Sequence, residues 1–481
     1  MENKKYSQYG SWESIFTPEK IIEGGLRFNE IRIDNHDIYF LEGRPSESGR
    51  SVIIKHNQDG TTTDIIPKNF NSRNAVHEYG GGSFVVRDEI VFFTNWEDQL
   101  IYKVSEGKLS PITQQSDIPM GIRYADLTLS NDGKWILCVR ETHHKDKEAT
   151  NEIVAVSTIT SEIIVLASGR DFYSSPRPNP ISNQICWLEW DHPNMPWDGN
   201  ELYIADFDSQ NISNKLKIDG STNISIVQPE WTDKGELIYI SDDSGWWNLK
   251  KYSDQKTSYI LKEEIDHGGP AWQFGFRTYF VYQDFIFLKG SSNDKNKGLI
   301  RKISLSGEII EEIEVNHTSI SDLSFCDNKA IFIGASPTTS SELCTLDLST
   351  TNVDILKESN SIQIDSDEIS IAEEITFDTT SNDISYAYFY KPTNKKFEGL
   401  KSEKPPLLVI SHGGPTGATS NSLNLSIQYW TNRGFAVVDV NYRGSAGYGR
   451  KYRDALKGNW GVYDTDDCIA AVDFLSNRGL V

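Results

Sequence analysis

Two glycine-containing turns in the last quarter of the sequence hold the residue types best suited to chemistry. The first, His412-Gly413-Gly414-Pro415, directly follows the apolar run Leu407–Ser411. A turn of this kind can present backbone N–H groups to the negative charge that develops on a carbonyl oxygen during acyl transfer. The second turn, Asn441–Ser445, directly follows the apolar run Phe435–Val440. The candidate oxyanion residues are Gly414, Gly413 and His412.

Both turns need a β-sheet to position them. Short apolar runs rich in β-branched residues, with a helical pattern between them, predict parallel strands that are buried on both faces. Loops at the carboxyl ends of such strands are where an α/β sheet binds its ligands. Upstream, Ile371–Phe377 and Ile384–Tyr390 predict an antiparallel hairpin. Ser420–Asn432 and a segment from Asp464 predict helices. We therefore predict an α/β domain over residues 366–481.

A different pattern fills residues 26–365, after a leading segment at residues 1–25. A turn residue is followed within three residues by a short apolar and aromatic strand, and this recurs at intervals of 45 to 53 residues. Such a period is typical of β-propeller blades. Seven repeats predict an all-β propeller of about seven blades, and a β-sandwich is the alternative that explains them less well. The repeats begin at Asn35, Asp88, Gly133, Asn183, Gly235, Gln283 and Asn328.

The motifs of both parts, in their order and spacing, resemble the prolyl oligopeptidase family of serine peptidases, in particular its dipeptidyl aminopeptidase and acylaminoacyl-peptidase branch. The resemblance implies a propeller over an α/β-hydrolase domain and cleavage of short peptides by a Ser-His-Asp triad. It also implies that the Gly414 N–H donates to the oxyanion. The matching stretches are Val76–Gly82, Trp187–Asp198, Gln228–Trp231, Ser241–Leu249, His412–Pro415, Asn441–Ser445, Gly447–Gly449, Trp460-Gly461 and Asp464 with Asp466-Asp467.

The triad itself is the difficulty. In that family a nucleophile elbow, G-x-S-x-G, follows the next strand, and the Asp and His come later. No G-x-S-x-G occurs here, and all nine histidines lie at or before His412. Ser445 has Arg443 where the elbow needs glycine. We therefore expect an incomplete hydrolase domain, a triad that lies beyond Val481, and no hydrolase activity from this chain alone.

Three explanations of the missing triad stay open. The gene record is fragmentary, or the chain is a propeller binding module with a vestigial hydrolase fragment, or it is one half of a split enzyme.

An unpaired parallel strand at the edge of an unfinished sheet favours aggregation. We therefore also expect residues 372–481 to be less stable than the propeller.

Some acidic and aromatic residues are candidates for contact with substrate. The resemblance implies that a propeller glutamate beside aromatic rings reads the amino terminus of the peptide. The alternative for the glutamates is that they cap turns. For Tyr442 and Arg443, a structural role is equally open. The substrate-binding candidates are Glu78, Glu189, Glu230, Tyr442 and Arg443.

Composition restricts the partners. Acidic residues exceed basic ones, 69 against 47, for a net charge of −22, which disfavours nucleic acid and anionic membranes. No long apolar run or secretory leader is present, so we expect a cytoplasmic protein. The cysteines form no C-x-x-C pair, and His143-His144 has no third ligand at a suitable spacing. We expect no metal and no organic cofactor, and a short peptide as substrate. Whether the protein forms an oligomer, or binds a complementing chain that carries the triad, stays open.

Overall fold

The computed structural model describes residues 4–22, 25–208, 211–292, 294, 297–360 and 362–481. A short strand, β1 (Lys5–Ser7), and a short helix, α1 (Pro18–Ile22), come first. The chain then forms seven four-stranded antiparallel sheets among the described residues, each with its strands in sequence order. The first three sheets are β2 to β5 (Arg27–Asp34, Asp37–Arg44, Arg50–His56, Thr62–Asp64), β6 to β9 (Phe84–Arg87, Ile90–Thr94, Ile101–Ser105, Lys108–Pro111) and β10 to β13 (Ile122–Leu129, Trp135–Thr142, Thr150–Ser157, Ile163–Ala167). The other four are β14 to β17 (Phe172–Pro178, Gln184–Trp190, Glu201–Phe207, Ile212–Gly220), β18 to β21 (Ile226–Trp231, Leu237–Ser241, Asn248–Ser253, Lys256–Tyr259), β22 to β25 (Tyr279–Tyr282, Phe285–Ser291, Gly298–Ser304, Ile309–Val315) and β26 to β29 (Ser319–Cys326, Lys329–Ala335, Glu342–Asp347, Val353–Glu358).

The seven sheets are the blades of a propeller. The first strand of each blade packs beside the first strand of the next, and β26 of the last blade returns to β2 of the first. The second and third strands are the most deeply buried, because each sheet can hide its apolar faces only against its neighbours. The prediction of a propeller is thereby confirmed. The predicted boundaries at residues 26, 365 and 366 stay predictions.

Side-chain oxygens on the inner strands link one blade to the next. Glu30 Oε2 accepts a hydrogen bond from the Ser83 N–H at 2.8 Å, and Asp126 Oδ2 accepts one from the Ser175 N–H at 2.7 Å. Both acceptors lie where the strand register shifts and have a positive φ. Such bulges aim a side chain away from its own ladder. The propeller is therefore joined at its centre by polar contacts as well as by apolar packing between blades.

The central channel is bridged at one end. The Phe274 N–H donates to the Gly80 carbonyl at 2.9 Å, and Gly81 forms an isolated β-bridge with Phe274. A Cβ at Gly81 would lie 2.5 Å from the Phe274 carbonyl oxygen, so only glycine allows this approach. The loops that precede the second and sixth blades thus meet over the channel.

The remaining strands form a second kind of sheet, in the order β30-β31-β34-β33. The strands β30 and β31 form the predicted hairpin, while β33 runs parallel to β34. The strand β34 is buried along its whole length, and the helix α4 packs on the sheet. The elements are β30 (Glu373–Thr379), β31 (Asp383–Tyr390), β32 (Phe397–Gly399, paired with β1), β33 (Leu407–Ser411), α2 (Leu425–Thr431), β34 (Ala436–Asn441), α3 (Gly449–Asp454) and α4 (Tyr463–Asn477).

Two helices differ from the sequence prediction. The helix predicted at Ser420–Asn432 begins only at Leu425, because the Asn424 side chain accepts from the N–H groups of Ser426 and Ile427 and caps the first turn. The helix α3 lacks an apolar stripe and was not predicted. No helix of the described residues has the length and apolarity needed to cross a membrane.

A buried ion pair attaches α3 to the fifth blade. Asp242 accepts from the guanidinium groups of Arg450 and Arg453, and the Arg453 guanidinium lies 3.9 Å from the centre of the Trp247 ring. The Asp242 and Arg453 side chains are almost fully buried. Asp266 adds a contact by accepting from the Gly449 N–H at 3.0 Å. The arginines of α3 thus face the propeller, while Tyr452 on the same helix donates to the Asn441 carbonyl of the α/β sheet at 2.7 Å. This division of contacts explains why the sequence of α3 shows no apolar stripe.

Candidate active site

The first glycine-containing turn, taken here as residues 412–416, is held in place by the hydroxyl group of one tyrosine. The Tyr442 hydroxyl donates to the Gly414 carbonyl at 2.8 Å and lies 3.2 Å from the His412 carbonyl oxygen. Since a trans peptide points its N–H opposite its C=O, the Gly413 N–H faces away from Tyr442. Among the described residues, neither the Gly413 nor the Gly414 N–H makes a hydrogen bond to the protein, and both glycines are exposed. This turn, hereafter the oxyanion loop, has free donors as an oxyanion site requires.

His412 and Ser445 form a hydrogen-bonded pair that superficially looks like part of a catalytic triad. His412 Nε2 lies 2.7 Å from Ser445 Oγ. The Ser445 hydroxyl donates its only proton to the Tyr442 carbonyl at 2.7 Å, so it accepts from the imidazole and is not activated by it. Ser445 is also fully buried. Burial lowers the pKa of His412, which favours the neutral ring. The pair therefore fixes the position of the loop.

A cavity of about 370 Å³ lies in the propeller beside this loop. One wall residue, Trp272, reaches out of the cavity: its indole N–H donates to Thr416 Oγ1 at 3.1 Å. Thr416 ends the oxyanion loop, so the cavity and the loop are one side chain apart. The aromatic members of the wall are His77, Tyr79, Phe172, Trp190, His192, Trp197, Trp272, Phe274 and Phe276.

Two carboxylates stand at the polar side of the cavity. The guanidinium of Arg123 lies 3.0 Å from Glu78 Oε1 and 3.1 Å from Glu141 Oε1. Glu141 is buried, whereas Glu78 is 76% exposed. His143 Nε2 lies 2.7 Å from Glu141 Oε1. Two carboxylates against one arginine leave a net negative charge beside aromatic faces, which suits an ammonium group.

The backbone that carries Glu78 is strained. His77 and Glu78 have φ values of 51° and 67°, in the left-handed region that non-glycine residues avoid. The His77 N–H is held by Glu141 Oε2 at 2.9 Å. Burial among aromatic rings lowers the pKa of His77 to about 4, so the ring is neutral at physiological pH. Strain of this kind often marks a ligand site.

The other two candidate glutamates lie outside this cavity. Glu189 is buried inside the fourth blade, where it accepts from the Trp187 indole at 2.8 Å and from Lys215 at 2.9 Å. Glu230 lines the central channel, 3.6 Å from Arg277. Their partners satisfy the carboxylates within the propeller, and this geometry argues against the substrate contact that the sequence suggested for them.

Tyr442 and Arg443 also have structural partners. Tyr442 is buried under the oxyanion loop. Arg443 is fully buried, with its guanidinium 2.8 Å from Asp467 Oδ1 and 3.8 Å from the centre of the Tyr463 ring. The Arg443 guanidinium also donates to Thr380 Oγ1 at 2.9 Å, and the Arg443 backbone N–H donates to Asp467 Oδ2 at 2.7 Å. The structure therefore places Arg443 as a buried link between the second glycine-containing turn and α4.

Two groups among the described residues have the donor types of a metal site. In the first, Glu78, Glu141 and His143, the carboxylates already face Arg123. The second, His317, Glu342 and Cys344, is buried in the last blade. Its His317 Nδ1 has no hydrogen-bond partner, whereas a histidine that binds a metal almost always donates its other N–H. Neither group fits a metal well.

Sequence comparison connects these parts to known proteins. The Prolyl oligopeptidase family model matches residues 421–481. The structure of a puromycin-hydrolyzing peptidase from Mycobacterium tuberculosis superposes with a TM-score of 0.94, at 31% identity, over 99% of this chain and 76% of that one. The chain belongs to the prolyl oligopeptidase family.

Other members of the family match more distantly. A puromycin hydrolase structure has a TM-score of 0.92 at 28% identity, over 99% of this chain and 75% of the other. Dipeptidyl-peptidase 5 of Aspergillus fumigatus is 24% identical over 376 residues, which are 73% of this chain. The match spans 43% of the length of that curated relative. The fold and the family follow from these comparisons.

Two residues of the site were not singled out from the sequence. Glu141 and Trp272 lie 63 and 194 positions from Glu78 along the chain, and only the closure of the propeller brings them together. His143 was considered only as half of a metal pair with His144, and it borders the cavity. An alignment of relatives could have supplied a signal for these positions, but the sequence pattern around each is an ordinary strand or loop.

Proposed function

We propose that this chain forms the propeller and the oxyanion-loop side of a serine peptidase that cleaves short peptides with a free amino terminus. The observation that carries the proposal is the hydrogen bond between Trp272 and Thr416, which joins a cavity of peptide side-chain size to free backbone donors. The similarity to two puromycin-hydrolysing enzymes supports a hydrolase activity, and the aromatic wall of the cavity supports an aromatic side chain in the substrate. A cytoplasmic location and the absence of nucleic-acid and membrane partners stay predictions.

In this proposal the cavity binds the amino-terminal residue of the substrate. Glu78 and Glu141 hold the ammonium group, and the aromatic wall holds an apolar side chain. The peptide carbonyl next to that residue then meets the Gly413 and Gly414 N–H groups. A loss of one oxyanion donor typically costs about 3–4 kcal/mol of transition-state stabilisation, so these groups would carry much of the rate.

The nucleophile has to come from outside the residues that build this site. Ser445 is buried and not activated, and the free edge of β33 offers a place for another strand. Val409 and Ile410 on β33 are each 38% exposed. We propose that this edge pairs with a strand that carries a G-x-S-x-G elbow, in the same polypeptide or in a complementing chain, and that the 481 residues alone are inactive.

Ligand binding tests the cavity without requiring activity. We expect the 481-residue protein to bind phenylalaninamide, and to bind N-acetylphenylalaninamide at least about tenfold more weakly, because a charged hydrogen-bonded group contributes about 1.5–3 kcal/mol. The variant Glu78→Gln should weaken phenylalaninamide about threefold to tenfold. The variant Glu97→Gln, at an exposed glutamate elsewhere, is the matched control. Equal binding of the acetylated compound would contradict the proposal.

A chimera tests the edge strand. The unmatched part of the M. tuberculosis peptidase, joined after Val481, should restore hydrolysis of puromycin or of an aromatic amino-acid anilide. The same chimera with its elbow serine changed to alanine is the control. If the 481-residue protein binds phenylalaninamide but the chimera is folded and inactive, the alternative of a propeller binding module is favoured instead.

A further inference from the structure

Thr416, at the end of the oxyanion loop, is held in a conformation that it would not adopt alone. Its φ of 60° lies in the left-handed region, which is unfavourable for a β-branched residue. The side chain is buried. Its N–H donates to the Gly444 carbonyl at 3.1 Å, and its hydroxyl accepts from the Trp272 indole at 3.1 Å. Surrounding contacts must therefore maintain this conformation.

Trp272 is itself firmly placed by the propeller. Its ring lies 4.2 Å from that of Trp197 and 4.8 Å from that of Tyr79, measured between centres. Its backbone N–H donates to the Pro270 carbonyl at 3.0 Å. Within the part of the chain that the structure describes, Trp272 supplies the one hydrogen bond from the propeller to residues 412–416. All other hydrogen bonds of this loop come from its own surroundings in the α/β sheet.

We propose that Trp272 is a positioning residue, which transmits the state of the aromatic cavity to the oxyanion loop through its hydrogen bond to Thr416. A substrate side chain in the cavity packs against the Trp272 ring and restricts it. The indole N–H then holds Thr416, and with it the peptide planes of the loop. The inference rests on the proposed function, because it assigns the loop to an oxyanion. It explains why a propeller residue reaches out of its cavity toward a strained threonine.

Hydrogen exchange of the 481-residue protein tests the contact directly. The variants Trp272→Phe and Thr416→Val each remove one partner of the hydrogen bond; Thr416→Val keeps the packing volume, and Trp272→Phe keeps an aromatic but smaller ring. Each should speed exchange in the peptide that contains Thr416 and Thr419 by about two- to tenfold, the effect of one neutral hydrogen bond. The variant Thr416→Ser keeps the hydroxyl and should stay within twofold of wild type. The exposed Trp460, changed to Phe, is the matched control.

The double variant and the ligand separate this inference from the proposed function. Trp272→Phe with Thr416→Val should exchange no faster than either single variant, and additive effects would overturn the inference. Bound phenylalaninamide should slow exchange of the Thr416 peptide in wild type and leave it unchanged in Trp272→Phe. Failure of wild type to bind phenylalaninamide counts against the proposed cavity, whereas unchanged exchange in unliganded Trp272→Phe counts against Trp272 as the positioning residue.

An active chimera adds a kinetic readout that a merely structural role would not give. Trp272→Phe should lower kcat about fivefold with KM within twofold of the unmutated chimera, because the wall keeps an aromatic ring while the loop loses its support. A raised KM with unchanged kcat would show that Trp272 only lines the cavity, and would overturn the inference.

Discussion

The outer strands of the propeller blades and the edge strand of the α/β sheet differ in composition. The outer strand β17 of the fourth blade carries Lys215 and Lys217, and the outer strand β25 of the sixth carries three glutamates. Charges of this kind discourage pairing with another chain. The edge strand β33 has the sequence LLVIS, without any charge. Six of the seven outer propeller strands carry at least one charged residue, the exception being β13 (IIVLA), whereas the β33 edge has the composition of an interior strand.

The difference shows that the α/β sheet, unlike most blades of the propeller, has an edge strand suited to pairing with a further strand. The propeller joins its last blade to its first and satisfies its central carboxylates internally. The α/β sheet instead presents both an apolar edge and the free N–H groups of the oxyanion loop. The closed propeller thus supports a sheet with an apolar edge strand, and the cavity lies in the propeller beside the oxyanion loop.

The largest effect should come from the buried ion pair that attaches α3 to the propeller. Asp242→Asn leaves Arg453 without its counter-charge in a buried position, which typically costs about 3–5 kcal/mol. We expect proteases to cut residues 372–481 sooner while the propeller fragment survives. Asp254→Asn, at an exposed turn, is the control. Equal loss of both regions would show that they unfold as one unit.

The uncharged β33 edge should cause self-association. Val409→Lys places a charge on this edge, and we expect it to lower the concentration-dependent light scattering of the protein several-fold. Leu216→Lys is the matched control, since Leu216 is 49% exposed on the already charged β17. An equal decrease for both variants would mean that the edge of β33 is not special.

A smaller effect is expected from the propeller centre as the pH changes. Burial raises the pKa of Glu30 to about 7, although Arg32 opposes the shift. The folded protein then binds a proton that the unfolded chain has released, so this residue lowers stability as the pH rises from about 4.5 to 7. Glu30→Gln keeps the acceptor for Ser83 and removes the titration.

The thermal unfolding midpoint of Glu30→Gln should therefore exceed that of wild type at pH 8 and approach it at pH 4.5. A difference of about 1 °C for each kcal/mol is expected for a protein of this size. Glu106→Gln, at an exposed turn, controls for the change in net charge. A difference that does not depend on pH would contradict the assignment.

The sequence predicted much of the fold because its signals are local. The seven turn-and-strand repeats match the seven blades, and the two apolar runs match β33 and β34. The helix α3 was missed since its arginines serve the propeller rather than a helix face. Among the three candidate glutamates only Glu78 borders the cavity, and the partners of Glu189 and Glu230, which are Lys215 and Arg277, come from distant parts of the chain.

Only part of the candidate site could be predicted from the sequence, because its long-range contacts leave no local pattern. Both glycine-containing turns were recognisable, since a strand followed by such a turn is a local pattern. The contact between Trp272 and Thr416 joins positions 144 apart and becomes visible only once the propeller closes. The pairing of His412 with Ser445 is likewise a consequence of the two strands lying side by side.

Labelling with a fluorophosphonate probe tests the central claim most directly, because the probe reacts with activated serines. The 481-residue protein, shown to be folded, should not be labelled and should not hydrolyse an aromatic amino-acid anilide. The chimera with a G-x-S-x-G strand should be labelled at the elbow serine. Labelling of the 481-residue protein that disappears in Ser445→Ala would contradict the account, and would identify the Ser445 and His412 pair as the catalytic centre.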